Sequence, residues 1–239
     1  MKSVLRTALK TSAPQTARLH ELQQVFAGVC NALAPLVQQT ACWNRVALHH
    51  MAYKQLRQQF PHLGSQMVCN AIYSVSRTCR VVYQHPGSPF NLQRLAGRPL
   101  PLVRFLPQSP VYFDRHTLSL KDGLVSMFTL DGRMRFELAL SKTDEQRFRV
   151  EKLREIVLTS RADVFSLSFT FATLDDSTAP DDSAVSTRRG HPQIGGRSVA
   201  VAQDSTHAEL PEYVIVIDEE AAPALLHPHP AAHATQLLT

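Results

Sequence analysis

Asp122-Gly123 and Asp131-Gly132 bracket a run of alternating residues, and this pairing constrains the fold of the chain more than any other feature. Tight hairpins need positive φ angles at their central positions, and Asp-Gly supplies them at little cost. Strands are therefore expected over Leu118–Lys121, Val125–Thr129 and Arg133–Leu140 as a β-meander, preceded by a short strand over Val111–Phe113. Val164–Thr173 alternates again, with Ser166, Ser168 and Thr170 against Phe165, Leu167, Phe169 and Phe171. It reads as another strand of the same sheet or barrel.

Helical signals precede this β-rich stretch. Ser3–Leu9 alternates weakly and runs into Thr11-Ser12-Ala13-Pro14, a helix start with Ser12 as N-cap. Leu19, Leu22, Phe26, Val29 and Leu33 then form one apolar stripe, which Pro35 is expected to interrupt. Trp43, Val46, Ala47, Met51 and Leu56 make a second, less regular stripe that ends at Pro61. A tight Pro61–Gly64 connection leads to Ser65, the expected N-cap of a third helix reaching about Tyr83. On that helix Val68, Ile72, Val75, Cys79 and Val82 share one face, and Gln66, Asn70, Tyr73, Arg77 and Arg80 share another. Amides and guanidinium groups in such a row can bond base edges or hold phosphates, although any amphipathic helix also has a polar side.

His85–Gln108 is rich in Pro and Gly and reads as a basic connection. Asp175–Glu212 has the composition of a disordered linker, Glu212–Ile217 gives one short apolar strand, and an Ala/Pro/His tail follows. The fold class expected from these pieces is α+β.

Charge is distributed unevenly. Met1–Phe113 contains twelve Lys and Arg residues and one acid, Glu21, whereas Arg161–Thr239 contains four bases and eleven acids. The overall +5 hides this contrast. A cationic half of this kind fits a polyanionic partner, since neutralising phosphates releases their condensed counterions. No apolar run approaches the roughly 18 residues of a membrane span, and no secretory signal pattern opens the chain, so the cytoplasm is the expected compartment. Cys30, Cys42, Cys69 and Cys79 form no C-x-x-C pair, which points away from a zinc ribbon or a disulfide framework. His227, His229 and His233 cluster in the tail, where disorder is a better reading than metal binding. Phosphate-loop, dinucleotide and hydrolase motifs are absent, and neighbouring His49 and His50 lack an orienting acid. No cofactor or metal is expected.

Three stretches resemble one family. Val4–Asn31, with Gln15, Leu19, Phe26 and Cys30-Asn31, looks like an opening strand and helix. Tyr53–Val82, with the run Tyr53–Phe60, Ser65-Gln66-Met67, Ala71-Ile72 and Val75, looks like a helix-turn-helix. Pro110–Arg115 with Leu118–Leu120, Val125-Ser126 and Thr129–Arg133 is similar to a β-barrel signature. Together they resemble the N-terminal half of TnpB (OrfB) proteins, transposon-encoded RNA-guided nucleases related to type V CRISPR effectors.

The resemblance implies an oligonucleotide-binding-like β-barrel (residues 1–11 and 105–173) interrupted by a helical recognition insert (residues 12–104). A disordered acidic linker (174–212) and a vestigial nuclease strand with a tail (213–239) would complete the chain. It implies that Ser65, Gln66, Cys69, Asn70, Tyr73, Arg77 and Arg80 face a short target-adjacent motif in duplex DNA. Lys2, Arg6, Lys10, Lys54, Arg57, Arg94, Arg98, Arg104, Arg115 and Arg133 would contact guide RNA and phosphates. The family's nuclease half brings three separated carboxylates around metal ions. Here Val214–Asp218 looks like its first strand and aspartate, but only Glu219 and Glu220 follow as acids, so Asp218 reads as a vestige or a solvated strand end. The expectation is a protein without enzymatic activity that binds guide RNA and adjacent duplex DNA, associated with the nucleoid. Two alternatives stay open: a recognition subunit whose acidic region docks a separate nuclease or regulator, and a truncated, decayed transposon protein.

Overall fold

The computed structural model describes residues 3–121, 123–138, 140–172 and 210–218. The expected linker and tail lie almost wholly outside these residues, as do Lys2, Glu219 and Glu220. The described chain is α+β, with five helices and nine strands. β1 (Ser3–Ala8) leads into α1 (Ala13–Thr40), α2 (Arg45–Gln59), α3 (Ser65–Gln84) and the single turn α4 (Leu92–Leu95). Then come β2 (Leu102–Phe105), β3 (Val111–Phe113), β4 (Leu118–Lys121), β5 (Leu124–Thr129) and β6 (Gly132–Glu137). A short α5 (Lys142–Val150), the long hairpin β7 (Lys152–Arg161) and β8 (Val164–Ala172), and β9 (Val214–Ile217) complete the described order.

The strands form three antiparallel groups, in the orders β1-β8-β7-β3, β4-β5-β6 and β2-β9. No ladder among the described residues closes them into a barrel. The meander is where the Asp-Gly pairs put it, with Gly123 at φ +73° and Gly132 at φ +97° in the two turns. β8 belongs to a different sheet, because its partners are β1 on one side and β7 on the other. β7 is the strand that sequence alternation does not show. A register shift between Leu153 and Glu155 breaks its period of two, as a bulge does. The sheet therefore joins β1 to strands more than a hundred residues later, with α1 to α4 between them in sequence.

α1 extends past its expected end, α2 and α3 begin close to where the sequence puts them, and α4 and α5 are additional. α1 opens on a capping box between Ser12 and Gln15 and runs through Pro35 to Thr40. A proline inside a helix costs about 3 kcal/mol, and the burial of Leu33, Ala34 and Val37 around it offsets that cost. α3 starts at Ser65, with Gly64 rather than Ser65 at the cap position and no side-chain cap. Part of the expected connection after α3 is structured as α4 and β2.

One buried apolar cluster unites helices and sheets. Phe165, Leu167, Phe169 and Phe171 on β8 are fully buried, and the ring of Phe148 on α5 meets Phe169 and Phe171 edge-on at 4.9 and 5.1 Å. α1 crosses α3 and β2, and Asn31 fastens it there. Its amide Nδ2 donates to the Phe105 carbonyl at 2.9 Å, and its Oδ1 accepts from the Phe105 amide at 2.7 Å. That side chain occupies the edge of β2 as a neighbouring strand would.

Candidate nucleic-acid interface

α3 packs against β3 and turns its polar row toward the sheet. Gln66 Nε2 donates to Asp114 Oδ2 at 2.6 Å, and Asn70, only 5% exposed, donates to Thr117 Oγ1 at 3.4 Å. Tyr73 donates its hydroxyl to Glu155 Oε1 at 3.0 Å, and Arg77 forms an ion pair with the same carboxylate. The Arg77 guanidinium also lies 5.9 Å from the Tyr112 ring centroid. Gln66, Asn70, Tyr73 and Arg77, expected to face a DNA motif, thus meet groups of the strand region within the fold. Carboxylates contributed by the strand region, Asp114 before β4 and Glu155 on β7, take up the Gln66, Tyr73 and Arg77 donors, and the Thr117 hydroxyl takes up Asn70. Ser65 and Arg80 remain exposed and Cys69 half-buried.

The electrostatics agree with internal engagement. Burial raises the Tyr73 phenol above its usual pKa, and the Glu155 carboxylate adds to the rise. Burial works against the Arg77 charge, yet Tyr112, Glu155 and Tyr73 outweigh it and its pKa is raised. Burial also lifts the Cys69 thiol, so it stays protonated at neutral pH. Asp114 is an anchor in its own right. Its Oδ1 accepts from the His116 and Thr117 amides, both at 3.0 Å, and fixes the turn into β4.

Other cations expected to contact RNA or phosphates divide into two groups. Arg57 caps the end of α2 by donating to the carbonyls of Phe60 and Leu63. Arg133 donates to the Ser126 and His116 carbonyls at 3.0 and 2.9 Å and stacks 4.4 Å from the Phe128 ring. Arg98 pairs with Asp218 at 3.6 Å. These three brace the fold. Arg6, Lys10, Lys54, Arg94, Arg104 and Arg115 are exposed and, among the described residues, form no ion pair. Arg45, not singled out in the sequence, joins them at the start of α2 and lies 5.3 Å from the Tyr73 ring centroid. The exposed positions of α2 include Arg45, His50, Lys54, Gln55 and Gln58, and the helix contains no acid.

A second surface came from a pattern whose meaning only the pairing reveals. Paired residues of neighbouring strands point to the same side of a sheet. Arg6, Ser168, Val157 and Tyr112 therefore form one row across β1, β8, β7 and β3 on the outer face. Arg6 stands at one end of this row and Arg77, above Tyr112, at the other, roughly 14 Å or three strand spacings away. Ser166 with Thr159, and Thr170 with Glu155, form the flanking rows. Arg161 closes the face at the hairpin and is exposed. Ser166, Ser168 and Thr170 are half-buried, and none of their hydroxyls has a hydrogen-bond partner among the described residues. Thr159 Oγ1 accepts from Arg6 at 3.2 Å. Among the described elements, the helix packed at this sheet's outer face is α3, at the β3 end.

At the opposite side, β2 and β9 make a two-stranded ribbon. An open cleft of about 390 Å³ lies between it and α1, lined by Gly28, Asn31, Arg104, Phe105, Ile215 and Ile217 among others. Asp218 at the end of β9 is 20% exposed and held by Arg98, so it is an ion-paired strand end rather than a solvated one. Among the described residues no group of three His, Cys, Asp or Glu side chains is placed to hold a metal. No helix among them is long and apolar enough to cross a membrane.

No protein-family model matches the chain, and no curated protein matches it significantly.

Proposed function

We propose that the chain is a TnpB-like nucleic-acid-binding protein that holds RNA and adjacent duplex DNA without cleaving them. The observation that carries this reading is the outer face of the β1-β8-β7-β3 sheet. It presents Arg6 and Arg161, small hydroxyl side chains and the Arg77 corner, and its one acid, Glu155, is already engaged by Arg77 and Tyr73. A surface of this make-up neutralises phosphates and offers hydroxyls to a sugar–phosphate backbone without reading bases. The acid-free exposed face of α2, with Arg45, Lys54, Gln55 and Gln58, adds a second basic surface suited to duplex DNA. The family resemblance supplies the RNA-guided context, and the oligonucleotide-binding-like barrel it implies is part of the proposal. The non-cleaving part rests on Asp218, whose carboxylate is committed to Arg98. Titrating the full chain with structured RNA and with duplex DNA at several salt concentrations tests the reading. Binding that weakens steeply with salt supports it, and affinity no greater than for a random acidic polymer refutes it.

A second reading has its own observation. β2 is closed on one side by Asn31 and on the other by β9, whereas no described strand pairs with the outer edge of β9 and Ile215 beside it is 50% exposed. An uncovered edge with an apolar side chain suits strand addition by a partner polypeptide. Under this reading the chain is a recognition subunit. A stoichiometric protein partner that is lost on Ile215→Asp supports it, and a partner-free monomer argues against it.

A further inference from the structure

We propose that the outer face of the β1-β8-β7 sheet distinguishes RNA from DNA, with Ser166, Ser168 and Thr170 as the residues that contact the ribose 2′-hydroxyls. The proposal rests on the nucleic-acid reading above and names the chain that this face takes.

Three features lead to it. Ser166, Ser168 and Thr170 lie on one side of β8, each roughly 6.8 Å from the next because every second residue of a strand faces the same way. Their hydroxyls are half-buried and without partners among the described residues, so each is free to donate one hydrogen bond and accept others. The Arg6 side chain crosses this line, reaching from β1 over β8 to donate to Thr159 Oγ1 on β7 at 3.2 Å. Arg6 is directly opposite Ser168 on β1, and Arg161 lies at the hairpin end. A strand laid along β8 would meet the Arg6 guanidinium with a phosphate where that side chain crosses β8, meet Arg161 with another at the hairpin, and set its sugars over Ser166, Ser168 and Thr170. A deoxyribose strand satisfies the cations equally well but has no 2′-hydroxyl for the serines and threonine.

Charge and hydroxyls therefore make separable contributions. Arginine contacts set the salt dependence and do not distinguish the sugars, whereas hydroxyl contacts set the RNA-to-DNA ratio with little dependence on salt. The face has no aromatic side chain exposed for base stacking, which favours a backbone-directed contact over a base-directed one.

The experiment compares single-stranded RNA and DNA oligonucleotides of one sequence, with uracil in place of thymine, bound to the full chain across a salt series. Wild type is expected to favour RNA by roughly five-fold or more at equal salt, which corresponds to about one net hydrogen bond. Ser166→Ala/Ser168→Ala/Thr170→Val is expected to bring the RNA affinity down to that for DNA with the salt slope unchanged. Arg6→Ala is expected to weaken both oligonucleotides alike and to lower the magnitude of the slope by about 0.7. Ser168→Ala alone, at a half-buried position, gives the same reading in smaller measure if the triple variant does not fold. Equal affinity of wild type for RNA and DNA overturns the ribose assignment and leaves the nucleic-acid reading standing. An RNA preference that survives the hydroxyl substitutions also overturns it. Binding to neither oligonucleotide overturns both.

Discussion

Two polar faces of this molecule invite the same interpretation and have opposite fates. On α3, Gln66, Asn70, Tyr73 and Arg77 form the clearest polar row in the sequence, yet each meets a group supplied by the strand region. On the sheet, Ser166, Ser168 and Thr170 look like the unremarkable polar half of an alternating strand, yet they keep their hydroxyls free beside Arg6. The difference shows that a polar periodicity identifies a face without saying what it faces. What decides is where the acids are. In sequence the first 113 residues hold one acid, but in space Asp114 reaches back to accept from Gln66 and Glu155 to pair with Arg77.

The largest break between the two regions should come from high pH. Cys30 and Cys79 lie buried on α1 and α3, and burial raises both thiols, Cys79 from 9.0 to about 12. A thiol held protonated in the folded state ionises first in the unfolded state, so its stabilisation is complete below pH 9 and is lost as pH rises toward 12. Urea unfolding at a series of pH values should show stability falling by about 1.4 kcal/mol per pH unit for each thiol in that window. Cys79→Ala should remove that thiol's share of the slope. Burial also raises the Tyr112 phenol on β3, so the sheet adds a loss of its own only above pH 10.

Next in size is the clasp between the regions. Glu155→Ala removes the acceptor shared by Tyr73 and Arg77 and should cost about 2 kcal/mol, less than a fully buried pair because Arg77 is 48% exposed. Denaturant unfolding measures it. Asn31→Ala leaves the amide and carbonyl of Phe105 without partners and should cost a similar amount, about 2 kcal/mol, with no loss of nucleic-acid binding. The smallest effect lies in the β7–β8 turn, where Ala162 sits at φ 47° and Asp163 at φ 62°. Ala162→Gly relieves the left-handed conformation and should raise stability by about 0.5 kcal/mol, visible as a small rise in Tm.

Much of the architecture was legible because it is local. The Asp-Gly turns, the Ser12 cap, the α3 stripe and the phenylalanine alternation of β8 each depend on neighbours within a few residues. What was not legible depends on distant contacts or on irregularity. β7 was hidden by its bulge at Leu153/Glu155, although the Ser141/Asp144 capping box of α5 just before it could have been found. β2 was hidden in a Pro-rich stretch, since Asn31 and β9 supply its edges from 74 and more than a hundred residues away. The candidate site divides in the same manner. Arg6 and the serines were visible as residue types, but their row exists only once β1, β8 and β7 are paired. For Arg57, Arg98 and Arg133 the sequence shows a charge and not the carbonyl or carboxylate that each one meets in the fold.

The most direct test of the account is the nucleic-acid affinity of Arg6→Glu/Arg161→Glu, measured beside wild type at fixed ionic strength with Tm as a control for folding. The open sheet face predicts a loss of roughly tenfold or more in RNA affinity with Tm nearly unchanged. Undiminished affinity in the folded double variant would contradict it and return the binding surface to the helices.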